Sequence, residues 1–157
     1  MRQRTDDLQP ALRQLLDDVD EYGVHIVHIT ADDKGPAYSF TVGMFENFAQ
    51  PELIVFGLEE EVAHELLNAA ADEADAGHQY LDGSKLDGLL VDYPVRFVTV
   101  PKTCYAEHLG LAVWAYEGDS FPCVQMVWPD KQGRWPWDAG VREGFAASQP
   151  VLGRKAP

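Results

Sequence analysis

Residues 24–57, VHIVHITADDKGPAYSFTVGMFENFAQPELIVFG, decide the fold. Residues 24–29 are β-branched on both faces, which is typical of a strand that is buried on both sides. Residues 32–35 have the composition of a hairpin turn, and a second strand follows over about 37–43. Glu52–Phe56 reads as a third strand. Because short connections join these strands, we expect them to pair antiparallel.

The remaining chain alternates between helical and extended patterns. Apolar residues at helical spacing predict helices over 6–22 and 59–77, and a helix over 102–116 is a weaker expectation. Because Pro10 fits only the first turn of a helix, the first helix is expected to begin near Leu8 or Gln9. The pattern predicts strands at 95–100 and 121–128 and a short helix after Val141, and it leaves 78–93 unassigned. We therefore predict an α+β fold with a mainly antiparallel sheet, barrel-like as one option, packed against two to three helices.

The composition limits the class of protein. A length of 157 residues predicts one domain over 1–157, with flexible ends at 1–5 and 153–157. The formal net charge of −14 argues against nucleic acid and anionic membranes as partners, because both would repel the chain. The N-terminus lacks the apolar core of a secretory signal, and the two cysteines lie outside any CxxC spacing. We therefore expect a cytoplasmic protein with reduced cysteines.

Residues that could carry chemistry are few. The sequence contains no P-loop, GxGxxG, HExxH, GxSxG or EF-hand motif, which excludes the usual forms of those enzymes and binding proteins. His25 and His28 lie three apart on a strand, so they point to opposite faces and are not expected to share a metal ion. Cys104 and His108 would share a helix face, which makes them weak candidates for a catalytic thiol and its base. The alternative is a small buried cysteine beside a surface histidine.

Two segments favour a small-molecule pocket, whether or not the protein is an enzyme. One is the second predicted strand, where Tyr38, Ser39 and Thr41 offer hydroxyl groups to a ligand. The other is 121–138, where three of the four tryptophans occur within ten residues and a glutamine lies in mid-strand. The alternative is that the tryptophans cover an open end of the core while the aspartates serve turns. The predicted ligand-binding residues are Tyr38, Ser39, Thr41, Gln125, Trp128, Asp130, Trp137 and Asp138.

A second function remains open. The acidic runs at 59–61 and 72–75, together with the net charge, would suit a domain that binds a basic protein partner, as an inhibitor or immunity protein does. A solvated helix face explains the same runs more simply.

The segments YSFTVGM, PELIVFGL, YPVRFV and QMVWPDKQGRWPWD resemble the bacterial family catalogued as domain of unknown function 4262. The resemblance covers about 22–152 in the right order, and its most specific part is the tryptophan–proline–aspartate turn followed by Pro136, Trp137 and Asp138. It implies a stand-alone soluble domain in which Gln125, Trp128 and Asp130 belong to the same shared feature. The family name assigns no activity.

The order of elements at 38–58, a hydroxyl-bearing strand and a turn followed by a proline-led apolar strand, is also similar to the flavin-reductase-like split barrel. That likeness would imply a flavin whose phosphate is held by Ser39 and Thr41 and whose ring stacks on an indole.

Overall fold

The computed structural model describes residues 1–152, and the predicted flexible end at 153–157 lies outside them. Six strands form one open mixed sheet in the order β1-β2-β3-β6-β5-β4. The strands are β1 (His25–Ile29), β2 (Tyr38–Val42), β3 (Glu52–Phe56), β4 (Lys85–Leu90), β5 (Tyr93–Thr99) and β6 (Cys123–Val127). The helices are α1 (Pro10–Tyr22), α2 (Met44–Phe48), α3 (Glu60–Asp75), α4 (Tyr105–His108), α5 (Gly110–Tyr116) and α6 (Glu143–Ser148), with a 3₁₀ turn at Lys102–Cys104.

The sheet is mostly antiparallel, which confirms the predicted α+β class. β1 pairs with β2 and β2 with β3 in antiparallel register. Within residues 1–152, β3 and β6 are the one parallel pair, because the chain passes from the central strand β3 through α3 to the edge strand β4 and returns through β5 to β6.

Alternation along the strands sends side chains into two cores. In β3, Leu53 and Val55 belong to the core beneath α3, whereas Ile54 and Phe56 belong to the core beneath α1, α4 and α5. All four side chains are at most 1% exposed. The protein therefore has three layers, with helices on both faces of the central strands.

Three sequence expectations need correction. The sheet does not close into a barrel, because β1 and β4 lie at its opposite edges. Residues 1–152 form six helices where two to three were expected, and β4 lies within 78–93, for which the sequence predicts no element. The predicted helix over 102–116 is broken: Leu109 leaves helical geometry at φ −122° and ψ 35°, and a new helix begins at Gly110. This bend buries Leu109 completely in the core.

The N-terminal residues contact the body of the domain. The Arg2 guanidinium lies 4.7 Å from the ring centre of Trp114 and donates from Nε to the Trp114 carbonyl at 2.9 Å. None of the helices in the described residues is long and apolar enough to cross a membrane.

A wholly buried carboxylate ties β3 to the turn between β2 and α2. Glu52 is 0% exposed. Its Oε1 accepts hydrogen bonds from the Thr41 hydroxyl at 2.8 Å and the Met44 amide at 3.1 Å. Its Oε2 accepts from the Gly43 amide at 3.2 Å, the Phe45 amide at 3.0 Å and the Tyr116 hydroxyl. Burial raises the pKa of Glu52, and these donors oppose the rise.

The turn held by Glu52 touches the end of α1. Gly43 has φ +116°, and a Cβ there would lie 2.5 Å from the Gly23 carbonyl oxygen, so glycine is required on both conformational and steric grounds. The Asn47 amide donates to the carbonyls of Val19 at 3.1 Å and Gly23 at 2.8 Å. One buried side chain thus organises the junction of the sheet with two helices.

Replacing the Glu52 carboxylate should lower the stability of the folded protein. In Glu52→Gln the new amide group would face backbone N–H donors that cannot turn away, so we expect the free energy of unfolding to fall by about 3 kcal/mol. Urea denaturation measures this. Tyr116→Phe removes one donor and should cost about 1 kcal/mol. A Glu52→Gln protein as stable as the wild type would contradict the structural role.

Candidate functional site

A wide groove lies at the carboxyl ends of the two parallel strands. It has a volume of about 820 Å³. β3 runs into it through Leu58, and β6 runs into it through Trp128 and Pro129. In open sheets with parallel strands, ligands bind in the crevice outside the carboxyl ends. The lining comprises Leu58, Leu90, Tyr93, Trp128, Pro129, Asp130, Lys131, Gln132, Arg134, Arg142, Gly144 and Phe145.

The aromatic floor of the groove is rigidly held. The Trp128 indole Nε1 donates to the Phe56 carbonyl at 2.8 Å, so the ring is anchored to the end of β3. Phe145 from α6 meets this indole edge-on, with ring centres 5.0 Å apart and an interplanar angle of 83°. Tyr93 comes from the start of β5. The floor therefore combines rings from three separate elements.

Two buried glutamines fasten the C-terminal segment beside this floor. Gln149 is 0% exposed and brackets Trp128, accepting from its amide at 2.8 Å and donating to its carbonyl at 2.9 Å. Gln125 in β6 donates to the Pro150 carbonyl at 2.7 Å and accepts from the Leu152 amide at 2.9 Å. The predicted site residue Gln125 is therefore occupied with a neighbouring loop, which it fixes in place.

Positive charge collects around the groove. Lys131, Arg134 and Arg142 line it, whereas Asp130 is its one acidic lining residue. Arg134 is paired with Asp130 at 3.0 Å. Within residues 1–152, the structure records no ion pair for Lys131 or Arg142, and both are exposed. In a chain with a net charge of −14, this concentration of cations is unusual.

Asp130 organises the rim of the groove. Its Oδ1 accepts from the amides of Gln132 at 2.9 Å and Arg134 at 2.8 Å, and its Oδ2 accepts from Arg134 Nε at 3.0 Å. Burial acts to raise the pKa of Asp130, but the bonds from Arg134 and Gln132 outweigh it and hold the pKa below the ordinary value. Arg134 also donates from Nη1 to the Gly140 carbonyl at 2.8 Å, which closes the loop.

The remaining tryptophans lie outside the groove lining. Trp135 and Trp137 stack with ring centres 5.7 Å apart and an interplanar angle of 9°. The Arg96 guanidinium covers Trp135 at 5.0 Å from the ring centre. Asp138 Oδ2 accepts from the Trp135 amide at 2.8 Å, so this aspartate serves its own turn. Trp137 and Asp138 support the segment that follows the rim.

The hydroxyl-bearing strand lies elsewhere. Ser39 Oγ is 2.7 Å from His28 Nδ1 on the neighbouring strand, and Thr41 donates to Glu52. Tyr38 lines a second pocket of about 410 Å³. Burial raises the pKa of Tyr38. Of the eight predicted ligand-binding residues, the structure brings Trp128 and Asp130 together in the groove. It does not bring Tyr38, Ser39, Thr41, Gln125, Trp137 and Asp138 to them.

The predicted thiol–imidazole pair lies on the N-terminal side of the bend at Leu109: Cys104 ends the 3₁₀ turn and His108 ends α4. Of Cys104, the structure records its backbone carbonyl near His108, 3.4 Å from Nδ1. The His108 ring lies beside Tyr38 and Phe56, with ring centres 5.6 and 5.8 Å away. No contact between the thiol and the imidazole is recorded.

The histidines of β1 point to different neighbours, as alternation predicts. His25 Nδ1 lies 2.7 Å from Asp18 Oδ2, whereas His28 lies beside Ser39 and His64. His64 in α3 has its Nδ1 3.1 Å from His28 Nε2. Among residues 1–152, no three histidine, cysteine, aspartate or glutamate side chains converge on one metal position.

Sequence reasoning missed part of the groove. Leu90 and Tyr93 come from the unassigned stretch, and Arg142 and Phe145 come from the tail that was read only as a short helix. Lys131 and Arg134 lie inside the quoted tryptophan-rich segment, where their charge was a usable signal against the acidic background.

The rim predicts a defined pH dependence. Because the folded pKa of Asp130 is depressed, its ionised form stabilises the protein above the ordinary aspartate pKa of 3.8, and that contribution is lost as the pH falls through the folded value. Asp130→Asn should therefore lower the melting temperature at pH 7, and the gap from wild type should narrow progressively as the pH falls below 3.8. Thermal unfolding monitored by circular dichroism measures this, with Asp33→Asn as an exposed control. A gap that is equal at every pH would contradict it.

Comparison with known proteins gives one match. The family model described as Domain of unknown function (DUF4262) matches residues 18–142, which span β1 to β6 and the groove rim. No curated protein and no solved structure matches the chain. The sequence-level likeness to flavin-reductase-like split barrels is not supported, in keeping with the open sheet. Because the match covers most of the chain, this protein belongs to the DUF4262 family.

Proposed function

We propose that this protein binds a small anionic molecule with a flat apolar part in the groove at the carboxyl ends of β3 and β6. One observation carries the proposal: exposed Lys131 and Arg142 flank an anchored aromatic floor in a cavity of about 820 Å³. Pockets for small molecules usually measure about 300–1,000 Å³ and combine apolar walls with a few placed polar groups.

The chemistry of the lining suggests how such a ligand would sit. An Arg142 guanidinium can grip a carboxylate or phosphate with two parallel hydrogen bonds. Lys131 adds a second positive charge at the same rim. A ring or other flat apolar group would lie on Trp128 and Tyr93, which present broad apolar surface. Phe145, edge-on to Trp128, extends the same apolar floor.

The lining favours binding over catalysis. Among the described lining residues there is no serine, cysteine or histidine, and the carboxylate of Asp130 is already occupied by its own turn. A nucleophile or general base must be within hydrogen-bond reach of the reacting group. The proposal is therefore a binding protein. Lys131 and Tyr93 are the lining residues that could transfer a proton if the bound molecule reacts.

The test is a direct binding measurement. We expect at least one member of a panel of aromatic carboxylates and nucleoside monophosphates to raise the melting temperature and change tryptophan fluorescence. Arg142→Gln should weaken that binding about tenfold, as expected for the loss of a charged hydrogen bond, and leave the melting temperature of the free protein unchanged. Arg13→Gln, on α1, is the matched control and should bind like the wild type.

Two results would overturn the proposal. One is a panel without effect at millimolar concentration. The other is equal affinity of Arg142→Gln and wild type.

The alternative function, an acidic domain that binds a basic protein partner, stays a prediction. Its acidic residues on α3 include Asp72 and Asp75, which line a groove of about 500 Å³ together with Asp18. The double variant Asp72→Asn/Asp75→Asn separates the two functions. It should weaken the binding of a basic partner and leave the binding of the anionic ligand unchanged.

A further inference from the structure

A histidine pair lies on the face of the sheet opposite the C-terminal segment that Gln125 and Gln149 hold. Neither histidine lines the groove at the ends of β3 and β6. His28 is in β1 and His64 is in α3, 36 positions later in the chain. Their nitrogens, Nε2 of His28 and Nδ1 of His64, are 3.1 Å apart, and their ring centres are 5.4 Å apart with an angle of 33° between the planes. We propose that His28 and His64 form a two-imidazole site for a divalent transition-metal ion.

The spacing of the two nitrogens fits a shared ion. Zinc binds histidine nitrogen at about 2.0–2.1 Å, so two imidazoles on one tetrahedral ion place their nitrogens about 3.3 Å apart. The rings face each other nearly end to end, because the 5.4 Å between their centres is close to the 3.1 Å between the nitrogens plus the two ring radii. Each ring must therefore turn by about 35° before both lone pairs point at one tetrahedral ion. Without a metal, the same distance suits an imidazole–imidazole hydrogen bond, and the experiment distinguishes the two states.

The other nitrogen of His28 is arranged as in a metal ligand. Ser39 Oγ lies 2.7 Å from His28 Nδ1 and is the cross-strand partner of His28 in the β1–β2 register. Ser39 is 4% exposed. When the serine oxygen accepts from Nδ1–H, the proton is kept away from Nε2, whose lone pair then faces His64. Histidines that bind metals typically donate their second N–H to such an acceptor, which fixes tautomer and ring orientation.

Additional ligands would come from outside the pair. Glu60 precedes His64 by one turn of α3, and its exposed carboxylate does not converge on the pair, so it would reach the ion only after a change of side-chain rotamer. His64 itself is exposed, which leaves a path for the ion and room for water at the remaining positions. Imidazole with carboxylate and water suits zinc, nickel and copper and does not suit magnesium.

Binding would have a structural consequence. β1 is an edge strand, and His28 and His64 would link it to α3 through the ion. Because the paired geometry exists only in the folded chain, the metal would stabilise the folded state by mass action.

The experiment uses the full chain without a histidine tag. We expect ZnCl₂ and NiCl₂ at about 1 mM to raise the melting temperature by several degrees, while MgCl₂ does not. Zinc should also broaden or shift the imidazole NMR signals of His28 and His64 and leave those of His78 unchanged. Isothermal titration calorimetry gives the affinity.

Variants separate the site from adventitious binding. His64→Gln should abolish the thermal shift. Ser39→Ala should lower the affinity for zinc about tenfold, because the ring of His28 loses the hydrogen bond that orients it. His78→Gln is the matched control, because it removes a histidine just beyond α3 and should bind zinc like the wild type. Equal zinc affinity of His64→Gln and His78→Gln, or no thermal shift with either metal in the wild type, would overturn the proposal.

Discussion

The buried carboxylate of Glu52 is the constraint on which the rest of the structure depends. An ionised group taken out of water is tolerated only when its lone pairs are fully engaged, and here two hydroxyls and three backbone amides engage them. Those donors belong to β2, to Gly43 and the first turn of α2, and to the end of α5. Satisfying one side chain therefore positions both cores and brings the end of α1 against Gly43.

A second set of polar contacts builds the candidate site. The side-chain amides of Gln125 and Gln149 each donate one hydrogen bond to the backbone and accept one from it, as a residue of a paired strand does. They bring the C-terminal segment along β6 and so place Phe145 beside Trp128. The groove is a product of this docking and of the crossover that makes β3 and β6 parallel. Its floor is rigid because Trp128 is bonded through both its backbone and its indole.

Residue types in the tryptophan-rich segment were a good guide to the place of the groove and a poor guide to its members. Trp128 and Asp130 lie in it, but Trp137 and Asp138 support the following turn. Gln125 was expected to fix a loop or a ligand, and it fixes a loop. Ser39 and Thr41 were grouped with these residues because hydroxyls on one strand suggested a shared pocket. Their partners, His28 and Glu52, come from other strands. Local sequence patterns do not predict such long-range pairs.

The sequence by itself determined the α+β class, the antiparallel pairing of the first three strands and, to within a few residues, the bounds of α1, α3 and those strands. It could do so because periodicity and turn chemistry act over a few residues. It also identified the family. The tertiary structure alone decided that the sheet stays open, that β4 forms in a polar stretch, and that the helix after Lys102 bends at Leu109. It also decided which side chains meet across the groove, at Glu52 and between His28 and His64. Those outcomes depend on contacts between distant segments, where packing and hydrogen-bond satisfaction override local preference.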